Sequence, residues 1–285
     1  MNNVKQYNLH SVRNILSDHG IKPSKSMGQN FLIDPNIPVK IVKQSEINSS
    51  CCVLEVGPGL GALTAELSKA ACRVIAVELD KRLVPILQDM FDNQSNVKIV
   101  QGDILKINIK SLFENINPEL KFNVCANLPY NITTPAITAF IEAEIFDSIT
   151  VMVQKEVAQR ICANPGTPEY GAFTVFVNYF TSPEKLFDIS SECFSPRPNV
   201  VSSVINMQVK KEKTLSESEE KQLFKLVRAA FNQRRKTLVN ALSATYNETH
   251  TKESLTKVIE NCGFNARIRG EVLNLDNFIS LSQLL

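Results

Sequence analysis

The sequence predicts an α/β fold, a Rossmann-like doubly wound sheet of about seven strands with a small C-terminal α-helical domain. Three observations carry the prediction. Short apolar runs at 51–56, 73–78 and 97–101 alternate with longer helical stretches, the rhythm of parallel strands joined by crossover helices. The first run opens onto a glycine loop and the next two end at acids, which lines polar chemistry along the carboxyl edge of the sheet. From Leu215 onward, apolar residues such as Leu223, Leu226, Val227 and Phe231 recur at helical spacing. The division expected is a catalytic domain over 1–207 and a helical domain over 208–285.

The N-terminal stretch to Gly20 is polar and mixed in charge, without the apolar core of a signal peptide. No apolar run approaches the roughly 18 residues needed to span a bilayer. A cytoplasmic protein with no membrane partner is expected. Lys22 to Leu32 is a basic loop closed by an apolar pair. Lys22 and Lys25 suit phosphate contacts and Asn30 can reach a ligand. A solvated loop anchored by Phe31 and Leu32 accounts for the same residues.

Cys51–Val56 reads as a buried strand, Gly57-Pro58-Gly59-Leu60-Gly61 as a loop, and 62–70 as a helix. Glycines there, Gly57 and Gly59 above all, let the backbone approach a ligand closely. The second strand ends at Glu78, 21 positions beyond Gly57 (78 − 57). An acid at that place can accept both hydroxyls of a ribose. A helix to Phe91 and a third strand lead to Asp103, placed to accept from an adenine amino group. Either acid alone reads equally well as a helix cap; three successive strand ends carrying Gly57, Glu78 and Asp103 point to a nucleoside site. The loop lacks the Gly-Lys-Ser/Thr ending of a Walker loop, and its G-x-G-x-G spacing is not that of a dinucleotide fold.

A fourth strand, 121–126, runs into Asn127-Leu128-Pro129-Tyr130. Pro129 has no N–H to give a ladder and biases Leu128 away from helix, so this is a rigid loop at a strand end. It gathers an amide, backbone carbonyls and a ring, which suits a nucleobase amine held for attack. Its competitor is a capped turn with Tyr130 packed into the core. Beyond it, 133–144 and 155–162 read as helices and 150–154, 173–179, 185–189 and 201–209 as strands, with a break at 164–168. Phe194 opens a stiff Phe-Ser-Pro-Arg-Pro loop and can form the second face of a base sandwich with Tyr130, or else anchor a surface loop. Lys210 to Glu219 marks the linker and a helix cap. Arg228, Arg234, Arg235 and Lys236 give the helical domain a basic patch, to be weighed against a merely solvated face.

Of 285 residues 44% are apolar, ample for a core, and the net charge of +2 leaves any nucleic-acid surface to local clustering. Seven cysteines without a Cys-x-x-Cys pair, and only three histidines, argue against a metal site and for reduced thiols.

The first glycine motif, Glu55-x-Gly57-x-Gly59-x-Gly61, looks like that of S-adenosylmethionine-dependent methyltransferases. With Gly28-Gln29-Asn30-Phe31-Leu32, Glu78-Leu79-Asp80, Gly102-Asp103, Asn127-Leu128-Pro129-Tyr130, Phe194-Ser195-Pro196-x-Pro198-x-Val200-x-Ser202 and Ala230-Phe231-x-x-Arg234-Arg235-Lys236, the chain resembles the ribosomal RNA adenine N6-dimethyltransferase family over roughly 20–280. Leu128 and the 231–238 run favour its small-subunit branch over the large-subunit, macrolide-resistance branch. The resemblance implies S-adenosylmethionine contacts at Asn30, Leu32, Gly57, Glu78, Asp103 and Asn127. It implies N6,N6-dimethylation of two adjacent adenosines near the 3′ end of small-subunit rRNA in a pre-ribosomal particle, by a monomer without a metal. An assembly factor on a relic fold and a DNA adenine methylase are the competing readings. If Tyr130 stacks on the base, loss of its ring is expected to be severe and loss of its hydroxyl mild.

Overall fold

The structure, a computed structural model, describes residues 8–24 and 27–285. Among these residues nine strands form: β1 Phe31–Leu32, β2 Cys51–Val56, β3 Arg73–Glu78, β4 Val97–Gln101, β5 Lys121–Asn127, β6 Ser148–Gln154, β7 Thr181–Ile189, β8 Phe194–Ser195 and β9 Ser202–Val209. Seven of them make one sheet in the order β4-β3-β2-β5-β6-β9-β7. The pairs from β4 to β6 are parallel, and β9 runs antiparallel to β6 from Ser148↔Gln208 to Gln154↔Ser202. The α/β class, the parallel half and the antiparallel end are those the sequence predicts.

The winding positions the site. From β2 the chain moves outward through β3 to β4, then returns to the other side of β2 for β5 and β6. The order therefore reverses between β2 and β5, and the crevice of a doubly wound sheet opens at the carboxyl ends of such a pair. Gly57 follows β2 and Asn127 ends β5. All six residues of β2 and the first six of β6 are buried, as strands covered on both faces must be. Helices Asn36–Gln44, Ala62–Ala70, Val84–Phe91 and Thr133–Glu142 contribute core residues such as Ile41, Leu67, Leu87 and Phe140.

The chain divides into two compact units, one holding the residues up to Ala158 with Glu184–Val209, the other Gln159–Pro183 with Lys210–Leu285. The second unit contains helices Ala172–Phe180, Glu217–Asn232, Leu238–Ser243, Lys252–Asn261 and Leu275–Ser282. Here one expectation fails: 173–179 is helical. Its β-branched and aromatic residues mimic a strand, but Thr174 bonds back to the Gly171 N–H at 3.1 Å. Phe176 and Phe180 then meet Phe224 of the same unit at 5.4 and 5.7 Å between ring centres. A short apolar run cannot by itself separate a buried strand from a helix apolar on most sides.

Among the described residues, no helix is long and apolar enough to cross a membrane, and no group of three or more His, Cys, Asp or Glu side chains converges as a metal site.

Candidate active site

The loop from Met27 to Leu32 and the carboxyl ends of β2 to β5 enclose a cleft of about 1010 Å³, counting space open to solvent. Asn30, Leu32, Gly57, Gly59, Glu78, Asp103, Asn127, Leu128, Pro129 and Tyr130 all line it, so nearly the whole expected cofactor and catalytic set converges.

The glycine loop is shaped by what surrounds it. Gly61 caps helix Ala62–Ala70 with φ of +83°, and a Cβ there would stand 2.7 Å from the Phe91 ring. A Cβ on Gly59 would stand 3.1 Å from the Phe31 ring. Side chains are crowded out at both positions. Glu78 takes one amide of this loop and one of its own turn: its Oε2 accepts from Gly59 N–H at 3.1 Å and its Oε1 from Asp80 N–H at 2.8 Å. The carboxyl is 5% exposed, and burial raises its pKa while those two amides hold it down. A carboxylate has roughly four acceptor sites, so two bonds leave room for a diol.

Glu55, one strand inward, is buried and accepts from the Thr64 hydroxyl at 2.6 Å. Burial pushes it up to about 8, with the Glu78 charge adding to the effect, so it keeps its proton at neutral pH. Asp80 behaves oppositely. The Arg82 guanidinium at 2.6 Å and the Gln29 amide at 2.9 Å hold its carboxyl down to about 2. Gln29 Oε1 accepts in turn from Ser24 N–H at 2.8 Å, which fastens this loop to the end of β3. Leu79 is 53% exposed although apolar, and with buried Ile104 it gives the cleft a greasy wall. Asp103 lies at its edge, accepting from Leu105 N–H at 3.1 Å.

The Asn-Leu-Pro-Tyr loop packs directly on the glycine loop. Pro129 Cδ lies 3.6 Å, and the Asn127 carbonyl 3.8 Å, from where a Gly57 Cβ would be. Leu128 is buried and donates its N–H to the Met152 carbonyl at 3.2 Å. Pro129 takes ψ of 130°, and Tyr130 begins a single 3₁₀ turn before helix Thr133–Glu142. The Pro129 carbonyl already accepts from Ile132 N–H at 3.1 Å, which narrows the carbonyls open to a ligand to those before it. Tyr130 is half-buried, burial raises its pKa, and its hydroxyl lies 2.8 Å from Ser202 Oγ.

Other expected residues fall elsewhere. Phe194 is 3% exposed and does not line the cleft; it sits in β8, opposite Leu32 in a two-residue antiparallel ladder with β1. There it belongs to the core cluster that also holds Phe31 and Leu32 of β1. Lys22 is exposed, and Lys25 lies outside the described residues. Arg228, Arg235 and Lys236 are exposed on the helical unit. Arg234 is different from its neighbours: its guanidinium donates to the Pro168 carbonyl at 2.7 Å, the Thr167 carbonyl at 3.3 Å and Glu271 at 3.2 Å. It clamps the 164–168 turn, and the charge run in the sequence gives no sign of this. The Gln29–Asp80 bond and the Ser202–Tyr130 bond are equally invisible in the string, since each joins distant segments.

Residues 20–280 match the family described as ribosomal RNA adenine dimethylase. A Ribosomal RNA small subunit methyltransferase A from Lachnoclostridium phytofermentans is 44% identical over 263 residues, covering 92% of this chain and 91% of its own. One from Streptococcus pneumoniae is 42% identical over 274 residues, covering 95% and 94%. The crystal structure of a dimethyladenosine transferase from Plasmodium falciparum superposes with a TM-score of 0.74 at 27% identity, over 88% of this chain and 95% of that one. Glycine loop, acid-tipped strands and Asn-Leu-Pro-Tyr turn thus stand in a chain that belongs to the ribosomal RNA adenine dimethylase family.

Proposed function

We propose that this protein dimethylates N6 of two adjacent adenosines near the 3′ end of small-subunit rRNA, using S-adenosylmethionine, as a cytoplasmic monomer acting on a pre-ribosomal particle. The observation that carries the reading is the packing of Pro129 and Asn127 on Gly57. The loop suited to a nucleobase and the loop suited to a nucleoside cofactor share one wall, as direct group transfer between them requires. The names of the relatives support the small subunit as target.

The residues fit the cofactor. Glu78 has acceptor capacity for a ribose diol, Asp103 suits an adenine amino group, and Leu79 with Ile104 offers apolar surface to the ring. Asn30 and Leu32 close the cleft from the N-terminal side, with Asn30 held by the Gly28 carbonyl at 3.1 Å. S-adenosylmethionine supplies an electrophilic methyl on a sulfonium. The chain supplies position and charge. An adenine amine is a poor nucleophile because its lone pair is delocalised. An N6–H bond to the Asn127 side-chain oxygen, and one to a carbonyl of the same loop, favours pyramidal nitrogen and stabilises the positive charge that develops there. The Tyr130 ring holds the extruded base. The proton leaves to water after transfer, so no general base is required. Lys22, Lys25, Arg228, Arg235 and Lys236 serve the RNA backbone.

The test is transfer of tritiated methyl to undermethylated small subunits, large-subunit RNA and duplex DNA, followed by nucleoside analysis. N6,N6-dimethyladenosine from small subunits alone is the expected result. Label in large-subunit RNA or DNA, or binding without transfer, would overturn the reading.

A further inference from the structure

We propose that Ser202 is a positioning residue for the transfer step: by holding the Tyr130 hydroxyl it fixes where the ring that receives the target base stands. The proposal rests on the methyl-transfer reading above and extends it to a residue outside the cleft.

Tyr130 is held at both ends. At its backbone, Thr133 Oγ1 lies 3.3 Å from both the Pro129 and Tyr130 carbonyls, and Leu128 N–H is bound to Met152 of β6. At its far end, the hydroxyl meets Ser202 Oγ at 2.8 Å. Ser202 is itself built into the sheet. It is 0% exposed, it opens β9 opposite Gln154 of β6, and the preceding Val201 carbonyl accepts from Lys155 N–H at 3.0 Å. The two anchors therefore belong to neighbouring strands of one sheet. Of the two side-chain torsions of a tyrosine, ties at Cα and Oη fix the first, which sets where the ring stands; the second turns the ring about an axis that passes through Oη. The ring lines the cleft, so this bond does more than satisfy a buried hydroxyl. A ring that cannot swing loses no rotamer freedom when a base stacks on it, and it sets N6 at one place relative to Asn127. Were it loose, the base would still stack, but the amine would sample positions out of line with the methyl. On this proposal loss of the hydroxyl costs rate, where the sequence alone leads one to expect a mild effect.

The test compares wild type, Ser202→Ala, Tyr130→Phe and the double variant in single-turnover transfer to undermethylated small subunits. Each single variant should lose about three- to tenfold in rate, the worth of one hydrogen bond. KM for the subunit and cofactor affinity by calorimetry should change little, and the double variant should be no slower than the worse single. If Ser202→Ala does not fold, Tyr130→Phe removes the same bond without touching β9. Singles at the wild-type rate, or a double variant slowed by the product of the two, would overturn the proposal. Failure of the underlying reading looks different, since wild type itself would then place no methyl on adenine N6, and both fall together.

Discussion

At the scale of single residues, the two buried acids separate cleanly. Glu78 is legible in the sequence because an acid ending the second strand has a recurring use, and the structure puts it in the cleft bound to Gly59. Glu78→Ala should weaken S-adenosylmethionine binding by about 1–3 kcal/mol, the cost of unpaired hydrogen-bonding groups; calorimetry with unchanged affinity would remove it from the site. Glu55 is legible only as part of a motif, since nothing in the string says that its carboxyl is sealed from water. Raised to about 8, it takes up a proton on folding at neutral pH. Its contribution to stability is full below the ordinary glutamate value and is lost as pH rises through about 8. Denaturant midpoints of wild type should therefore fall between pH 6 and 8 more steeply than those of Glu55→Gln, by on the order of 1 kcal/mol per pH unit. Parallel curves would show that Glu55 is ionised. Ser202 cannot be paired with Tyr130 from sequence, because the two lie 72 positions apart.

At the scale of elements, the parallel strands are readable because each is short, apolar and punctuated by glycine or acid. The helix Ala172–Phe180 is not, because its faces are apolar nearly all round and the 3.6 period is lost. The loop before β1 reads as basic and tethered only by its apolar end. Its polar tether is Gln29 on Asp80, a bond across 51 positions. Asp80→Asn should release it: the Ser24 and Gln29 amides should exchange with deuterium roughly fivefold faster, and cofactor should bind more weakly, for loss of about 1 kcal/mol. Exchange as slow as in wild type would show that the apolar anchors suffice. Because Asp80 is held down to about 2, the tether should survive mild acid and fail only as pH approaches that value.

At the scale of the whole molecule, the basic patch divides by function. Arg228→Ala with Arg235→Ala and Lys236→Ala should lower RNA affinity and flatten its salt dependence by up to about 0.7–0.9 for each phosphate left without its cation. Arg234→Ala should instead destabilise the helical unit by about 1–3 kcal/mol, since it strips the turn at 164–168 of its donors. A melting curve and a salt titration on both proteins separate the two, and a shared outcome would return Arg234 to the RNA set. The sheet order carries a different consequence. β7 leaves the ribosome before β9, yet β9 lies between it and β6. The nascent chain therefore exposes β6 as an open edge, and β7 as an unpaired strand, until residues 202–209 emerge. The four pocket-bearing strands, β2 to β5, lie contiguous in sequence and can assemble during synthesis. Ser202 arrives with the closing strand, so the aromatic ring is secured only when the sheet itself is completed.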